Sequence, residues 1–288
     1  MPSTIGVVAC TNACLDYIDH PYDIRILRSR IHLGDDEYID FEELTAHQFY
    51  DRLKADASLF PRTSQPPIHE MEETFRTLKE EGKTDIIVVT ISSQMSGIYS
   101  SAQVGAKNVE GVNVHVFDSK TVAYPEAMMA LKAAELAEAG KDVKTILKKL
   151  DAIRAKNHMV FTVETLAYLV KNGRLSNAAG FMGSMLKIKP LLHVSKEGKV
   201  ENIEKIRTFK KALNRVVEVY LEETRDKDVT PFIAHANNNK ARDAIIDRLK
   251  EADPKLQKVP DIPLTPAVGA HGGPGAIALG YIETSTLK

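Results

Sequence analysis

The sequence predicts an α/β protein of two domains. Over the first half, short β-branched runs alternate with amphipathic helical stretches, the pattern of strands joined by crossover helices. After residue 156 the alternation changes: two strand patterns flank the tight Lys196-Glu197-Gly198 segment, a hairpin signal that a purely parallel sheet does not contain. The length, 288 residues, suits two domains at roughly 100–200 residues each. We therefore expect an N-terminal parallel-sheet α/β domain over residues 1–156 and a C-terminal mixed α+β domain over 157–288, with a ligand-binding cleft between them.

In the first half, strands are expected at 5–9, 24–31, 85–91 and 112–117, all rich in Ile and Val. Apolar residues at three- and four-residue spacing predict helices over 45–57, 68–81, 98–107, 126–139 and 143–156. Gly82 and Gly140 stand where a helix-terminating glycine belongs. In the second half, a strand is expected at 159–163, helices at 165–171 and 176–186, and the hairpin strands at 188–194 and 199–206. A helix over 209–225, a strand at 231–236, a helix over 240–251, a Pro-rich loop at 252–266 and a strand at 276–282 complete the chain.

Composition removes several functions. Lys and Arg number 38 against 39 Asp and Glu, so no overall basic footprint for nucleic acid exists. Hydrophobic residues make up 43%, enough for a real core, yet no apolar run approaches the ~18 residues of a membrane span. The chain enters a strand pattern at once with no basic segment before it, so no signal peptide is expected. Cys10 and Cys14 are too few for a disulfide framework or a structural zinc site. These features predict a cytoplasmic protein without stable membrane insertion.

Motifs for self-contained catalysis fail. No G-x-S-x-G nucleophile elbow occurs, and no H-E-x-x-H or EF-hand pattern. Gly82-Lys83-Thr84 ends like a P-loop, but Thr77 stands where its first glycine belongs. The histidines are scattered without ligand spacing, so neither a metal nor a cofactor is expected.

What remains is a set of small polar loops at element termini. Arg62-Thr63-Ser64-Gln65-Pro66-Pro67 precedes a predicted helix, and Ser92-Ser93-Gln94-Met95-Ser96-Gly97 joins a predicted strand to a predicted helix. Helix N-termini present unpaired N–H groups that attract anions, and hydroxyls there either cap the helix or reach a ligand. The segment Gly269-Ala270-His271-Gly272-Gly273-Pro274-Gly275 predicts a loop with backbone at positive φ or in close approach to a neighbour. Its histidine is either structural or a positioned ligand contact. Gly173 and Ser176 bracket Arg174 in a tight inter-helix turn. The stretch Ala178-Ala179-Gly180-Phe181-Met182-Gly183-Ser184-Met185-Leu186 is apolar nearly all round, so it either packs a core or lines an apolar cavity.

Together these segments resemble the DegV family of bacterial fatty-acid-binding proteins. The residues that carry the resemblance are Thr63-Ser64-Gln65-Pro66, Ser96-Gly97-Ile98-Tyr99-Ser100-Ser101-Ala102, Phe117-Asp118-Ser119, Tyr168-Leu169-Val170-Lys171-Asn172-Gly173-Arg174-Leu175-Ser176, Ile188-Lys189-Pro190-Leu191-Leu192, Lys205-Ile206-Arg207 and the glycine segment from Gly269 to Gly275. The chain departs from the family at Cys10-Thr11-Asn12, where members usually carry Asp-Ser-Thr, and at Ile98, where many carry Thr. The resemblance implies a two-domain DegV-like fold holding one long-chain fatty acid between its domains. It implies that Thr63, Ser96 and His271 bind the carboxylate; Gly97, Gly272, Phe181 and Met185 are candidates for further ligand contacts. It further implies a non-catalytic subunit that presents the carboxylate to a separate fatty-acid kinase, giving an acyl phosphate for phospholipid synthesis, with Arg174 and Arg207 on the kinase-facing side.

Physical chemistry is consistent with such a ligand. A buried carboxylate must be satisfied by hydroxyls, amides or an imidazolium, and Thr63, Ser96 and His271 supply those types. Two other readings stay open at this level. One is a stand-alone acyl hydrolase or transferase with His271 as base and Ser96 as nucleophile, although no acidic partner for His271 is identifiable. The other is a lipid-gated interaction module without metabolic output.

Overall fold

The computed structural model describes residues 3–56, 58–181, 188–254, 256 and 258–288. The first half contains β1 (Ile5–Cys10), β2 (Ile24–Leu27), β3 (Arg30–Leu33), β4 (Asp36–Ile39), α1 (Ala46–Ala55), β5 (Arg62–Ser64), α2 (Ile68–Glu80), β6 (Asp85–Thr90), α3 (Ile98–Lys107), β7 (Asn113–Asp118), α4 (Tyr124–Glu138) and α5 (Val143–Ala155). Strands β2, β1, β6 and β7 form a parallel sheet in that order. The central strands are unbroken aliphatic runs because both their faces are covered. Val8, Ile86 and Val88 pack on Met71 and Phe75 of α2 and Ile98 of α3. Val7, Ile87 and Val89 face the opposite way, toward the alanine-rich flank of α4.

The predicted strand 24–31 is two strands, β2 and β3. The chain turns at Gly34, whose φ of 63° suits the tight connection between β3 and β4, and β5 adds to the far side of β3. This three-stranded antiparallel sheet corrects the expectation of a loop at Arg62–Pro67: Thr63 pairs with Ile31 as a strand residue.

The second half contains β8 (Asn157–Thr162), α6 (Ala167–Lys171), β9 (Lys189–Val194), β10 (Val200–Ile206), α7 (Phe209–Thr224), β11 (Val229–His235), α8 (Asn239–Ala252), β12 (Asp261–Pro263), α9 (Pro266–Gly272) and β13 (Ile277–Glu283). Its six-stranded sheet runs β10-β9-β8-β13-β11-β12 and is mixed, with only the β11–β12 pair parallel. The expected hairpin is β9–β10, with Gly198 at φ 85° in its turn. One face of this sheet packs on α7 and α8 through Val160, Leu191, Ile277 and Leu279. The other faces the first domain, where Phe232, Ala234 and Ala278 join the same core as Val7 and Phe49.

Two expectations change here. The glycine-rich segment is not all loop: its first four residues are the last turn of α9, and only Gly273 and Gly275 have positive φ. Gly269 is instead a close approach, since a Cβ there would fall 2.2 Å from Tyr50 Oη. Of the helix expected over 176–186, a single 3-10 turn, Ala178–Phe181, is described; Met185 lies outside the described residues.

Candidate functional site

Between the two sheets lies a cavity of about 1070 Å³, its open mouth included. The first domain contributes Thr63, Ser64 and Gln65 at the end of β5, Met95 to Gly97 before α3 and Ile98 at its start. The second contributes Met159 and Phe161 of β8, Ala278 of β13, Ala234 of β11, and the face of α9 carrying Ala267, Val268 and His271. The lining is mostly apolar, with Thr63, Ser64, Gln65, Ser96, Arg174 and His271 among its polar members, a composition that suits an amphiphile.

Among these, Thr63 Oγ1 is 2.9 Å from His271 Nε2. Strand β5 and the last turn of α9 make this contact, because α9 docks on β3 and β5. His271 is half-buried, and its Nδ1 is shielded with no partner among the described residues. Burial, with the Arg174 charge beside it, pushes its pKa down to about 4, so the ring is neutral at physiological pH. The fixed positive charge of the site is therefore Arg174. Its Nε donates to Met95 O at 3.1 Å, across the domain boundary, and Nη1 donates to Asn172 O.

Ser96 Oγ accepts from Ile98 N at 3.4 Å, which leaves its own proton free for another acceptor. Thr63 caps no helix: Pro67 holds the N-cap position of α2 and Gly97 that of α3, neither with a side-chain cap. The hydroxyl positions are thus explained only in part by helix ends. Among the described residues Ser96 makes no bond to His271 and no carboxylate contacts that histidine. A serine–histidine–acid relay is not assembled.

Thr63, Ser96, Gly97, Arg174, His271 and Gly272 all line this one cavity. Phe181 does not; it is buried, with Lys205 Nζ 4.6 Å from its ring centroid. Arg207 is exposed just past β10 and lines no part of the cavity. Sequence reasoning missed Gln65, whose Nε2 donates to Ser101 Oγ at 2.6 Å and whose Oε1 lies so close to Gly97 that a Cβ there would be 2.7 Å away. It missed Asn172, which donates to Ala270 O at 2.9 Å and so ties α6 to α9. It also missed Asp40, which is fully buried and accepts from Thr11 Oγ1 at 2.7 Å and from Ala267 N at 3.2 Å in the first turn of α9. Burial raises its pKa to about 7. Asn12, at the departure from the family pattern, also lines the cavity, and its Oδ1 has no partner among the described residues. No signal short of the fold would have joined Asp40 or Asn172 to α9.

A second, outer cleft shares Thr63, Arg174 and His271 with the cavity and adds Arg62, Lys171 and Phe60. Thr63, Arg174 and His271 therefore stand between the cavity and an outer cleft that carries Arg62 and Lys171. Phe60 stacks on Tyr168 at 5.3 Å and lies 4.6 Å from Lys171 Nζ.

This geometry has relatives. A family model described as "Uncharacterised protein, DegV family" matches residues 4–284. The chain belongs to the DegV family. A DegV domain-containing protein of Staphylococcus aureus (strain N315) is 34% identical over 269 residues, which span 93% of this chain and 92% of that one. Among solved DegV structures, the fatty acid binding DegV family protein of Streptococcus agalactiae superposes with a TM-score of 0.87 at 29% identity, covering 97% of this chain and 98% of its own. DegV of Bacillus subtilis, a fatty acid binding protein, superposes with a TM-score of 0.84 at 31% identity over 98% and 99%. The two-sheet architecture is thus the DegV fold. Among the described residues no helix is long and apolar enough to cross a membrane.

Proposed function

We propose that this DegV protein binds one long-chain fatty acid in its interdomain cavity and presents the carboxylate to a separate fatty-acid kinase. The observation that carries the reading is a largely apolar interdomain cavity lined also by Thr63, Ser96, Arg174 and His271, three of which border an outer cleft with Arg62 and Lys171. Burying a sixteen-carbon chain at ~0.8 kcal/mol per methylene contributes of order 10 kcal/mol before the costs of association. The carboxylate is satisfied by the free Ser96 proton and the Thr63 hydroxyl, with the Arg174 charge behind them. His271 fixes the Thr63 rotamer and, as carboxylate approaches, regains affinity for a proton.

For acyl-phosphate formation a carboxylate oxygen attacks the γ-phosphorus of the kinase's nucleotide and the nucleoside diphosphate leaves. That step needs in-line approach and cations near the transferred group. Arg62, Lys171 and Arg174 supply the cations, and we place Arg207 on the surface the partner covers. The protein itself performs no chemistry in this reading and works in the cytoplasm. We divide its domains after residue 156, between α5 and β8. Organic extraction and gas chromatography of purified protein test the ligand, with one fatty acid per chain expected. Absence of acyl chains together with no uptake of added palmitate or oleate overturns the reading. Acyl-phosphate production that requires this protein, a bacterial fatty-acid kinase and ATP together tests the partner.

A further inference from the structure

The floor of the cavity is set by two successive cross-strand rows of the six-stranded sheet. In one row Leu192, Phe161, Ala278 and Ala234 stand side by side on four strands, and the two alanines leave room above them. In the next row Met159, Gly280 and Phe232 are neighbours. There the Phe232 ring lies across Gly280, since a Cβ on that glycine would sit 2.4 Å from Phe232 Cζ, and Tyr124 of the first domain stacks on the same ring at 4.9 Å. The second row is thus closed by packed aromatics on one side of Met159.

A separate polar cleft opens at the end of the sheet where β8 begins, with Lys120, Arg154, His158, His193 and Lys196 among its walls. Met159 and Val194 line both the cavity and this cleft, and both are nearly buried, at 5% and 8% exposure. Among the described residues these two side chains alone border both spaces, and so stand between the cavity and the polar cleft. The polar groups behind them already serve one another: His158 bonds Glu223 at 2.7 Å and His193 at 3.2 Å.

We propose that Met159 is the stop that sets the length of acyl chain this protein accepts. The proposal rests on the fatty-acid reading above and adds the residue that decides specificity within it. Val194 is β-branched and held in a strand, so it is the fixed half of the partition. Met159 is unbranched, with rotatable bonds that let it swing at little cost, so it is the movable half. Up to the stop, each added methylene enters apolar surroundings and raises affinity about fourfold. Beyond it, the chain end displaces Met159 into the polar cleft and meets water, so further carbons add nothing.

The test is a chain-length series of saturated fatty acids, from ten to twenty carbons by about two at a time, bound to delipidated full-length protein. Wild type should show a steep rise in affinity followed by a break. Met159→Ala should move the break outward by about two carbons, the reach of the side chain removed, and raise affinity for the first chain length beyond the old break about tenfold. Met159→Phe should move it inward. Met159→Val, a milder truncation, serves where Met159→Ala unfolds, with a thermal melt read for every variant. A break that stays in place in folded variants, or affinity that climbs through twenty carbons in wild type with no break, overturns the role of Met159. Wild type that binds no fatty acid of any length overturns instead the reading on which it rests.

Discussion

Thr63 and His271, 208 residues apart in the chain, meet at 2.9 Å and join the small antiparallel sheet of the first domain to a helix of the second. The contact makes this part of the cavity wall a product of domain closure. Thr63 sits on β5 and His271 on α9, and neither belongs to the large sheets that define the fold. Two further bonds brace the same junction: Tyr50 Oη donates to Leu264 O at 3.0 Å and Asn172 Nδ2 donates to Pro61 O at 3.4 Å.

Replacing Thr63 by Val removes a hydroxyl while keeping the β-branched shape that strand β5 favours. A hydrogen bond to a charged group contributes about 1.5–3 kcal/mol, so Thr63→Val should weaken fatty-acid binding roughly ten- to a hundredfold. Ser96→Ala should do the same. Thr63 caps no helix and Ser96 accepts only a long bond, 3.4 Å, from the first N–H of α3, so the melting temperature should change little. Titration with a fluorescent fatty acid, paired with a thermal melt, reads both. A drop in stability with affinity intact would make these residues structural.

Arg174 stands between the cavity and the outer cleft, whereas Arg207 is out on the surface. Arg174→Ala removes two bonds to backbone carbonyls as well as a charge, so it should cost about 1–3 kcal/mol of stability. Arg207→Ala should retain fatty acid while lowering kinase-dependent acyl-phosphate formation, and Arg174→Ala, which removes the charge behind the carboxylate, should lower both. Turnover at the wild-type rate in both would show that they take no part in the transfer.

The architecture was largely legible because periodicity records burial. The aliphatic runs of β1 and β6 mark a doubly covered parallel sheet, and Lys196-Glu197-Gly198 marks the β9–β10 turn. Short elements were not. The strand pattern over 24–31 hid a break at Arg28 and Ser29, and the three residues of β5 are too few for any period to show. His271 was found as a residue and misplaced as an element, because glycines that usually signal loops here serve close packing: Gly269 admits Tyr50. Asp40 was invisible because its role depends on α9 arriving from more than two hundred residues away.

That carboxylate makes a pH prediction whose sign can be worked out. Asp40, raised to about 7, holds its proton in the folded state over a range where the unfolded chain, near 3.9, has lost it. Its contribution to stability therefore falls as pH rises from about 4 to about 7. His271, lowered to about 4 from about 6.5, works the opposite way, and its contribution rises with pH across that range. The two slopes offset each other in wild type. Asp40→Asn removes one of them, so the variant should match wild type near pH 4 and gain on it steadily up to pH 7, by at most about 1.4 kcal/mol per pH unit. Thermal melts at half-unit pH steps would show the two curves diverging; parallel curves would mean that Asp40 titrates normally.

The hairpin turn that docks on the loop before α3 supplies the last prediction. Gly198 has φ 85°, a region side chains avoid, and its carbonyl accepts from Ser92 Oγ of the first domain at 2.7 Å. A Cβ at this position would fall 2.2 Å from that same oxygen and 3.1 Å from Lys120 Cα. Gly198→Ala thus meets backbone strain and a clash together, and relief requires the turn to lift from the first domain. Strain of this kind costs about 1–3 kcal/mol. Ser92→Ala removes the hydrogen bond without the clash and should cost about 1 kcal/mol. Val194 and Val200, on either side of this turn, line the cavity, so lifting it loosens the wall that touches the ligand. Fatty acid should leave Gly198→Ala faster than wild type, and Ser92→Ala should fall between them. Stopped-flow release of a fluorescent fatty acid gives the three rates. If Gly198→Ala melts at a lower temperature but releases ligand at the wild-type rate, the hairpin contributes to stability without guarding the cavity.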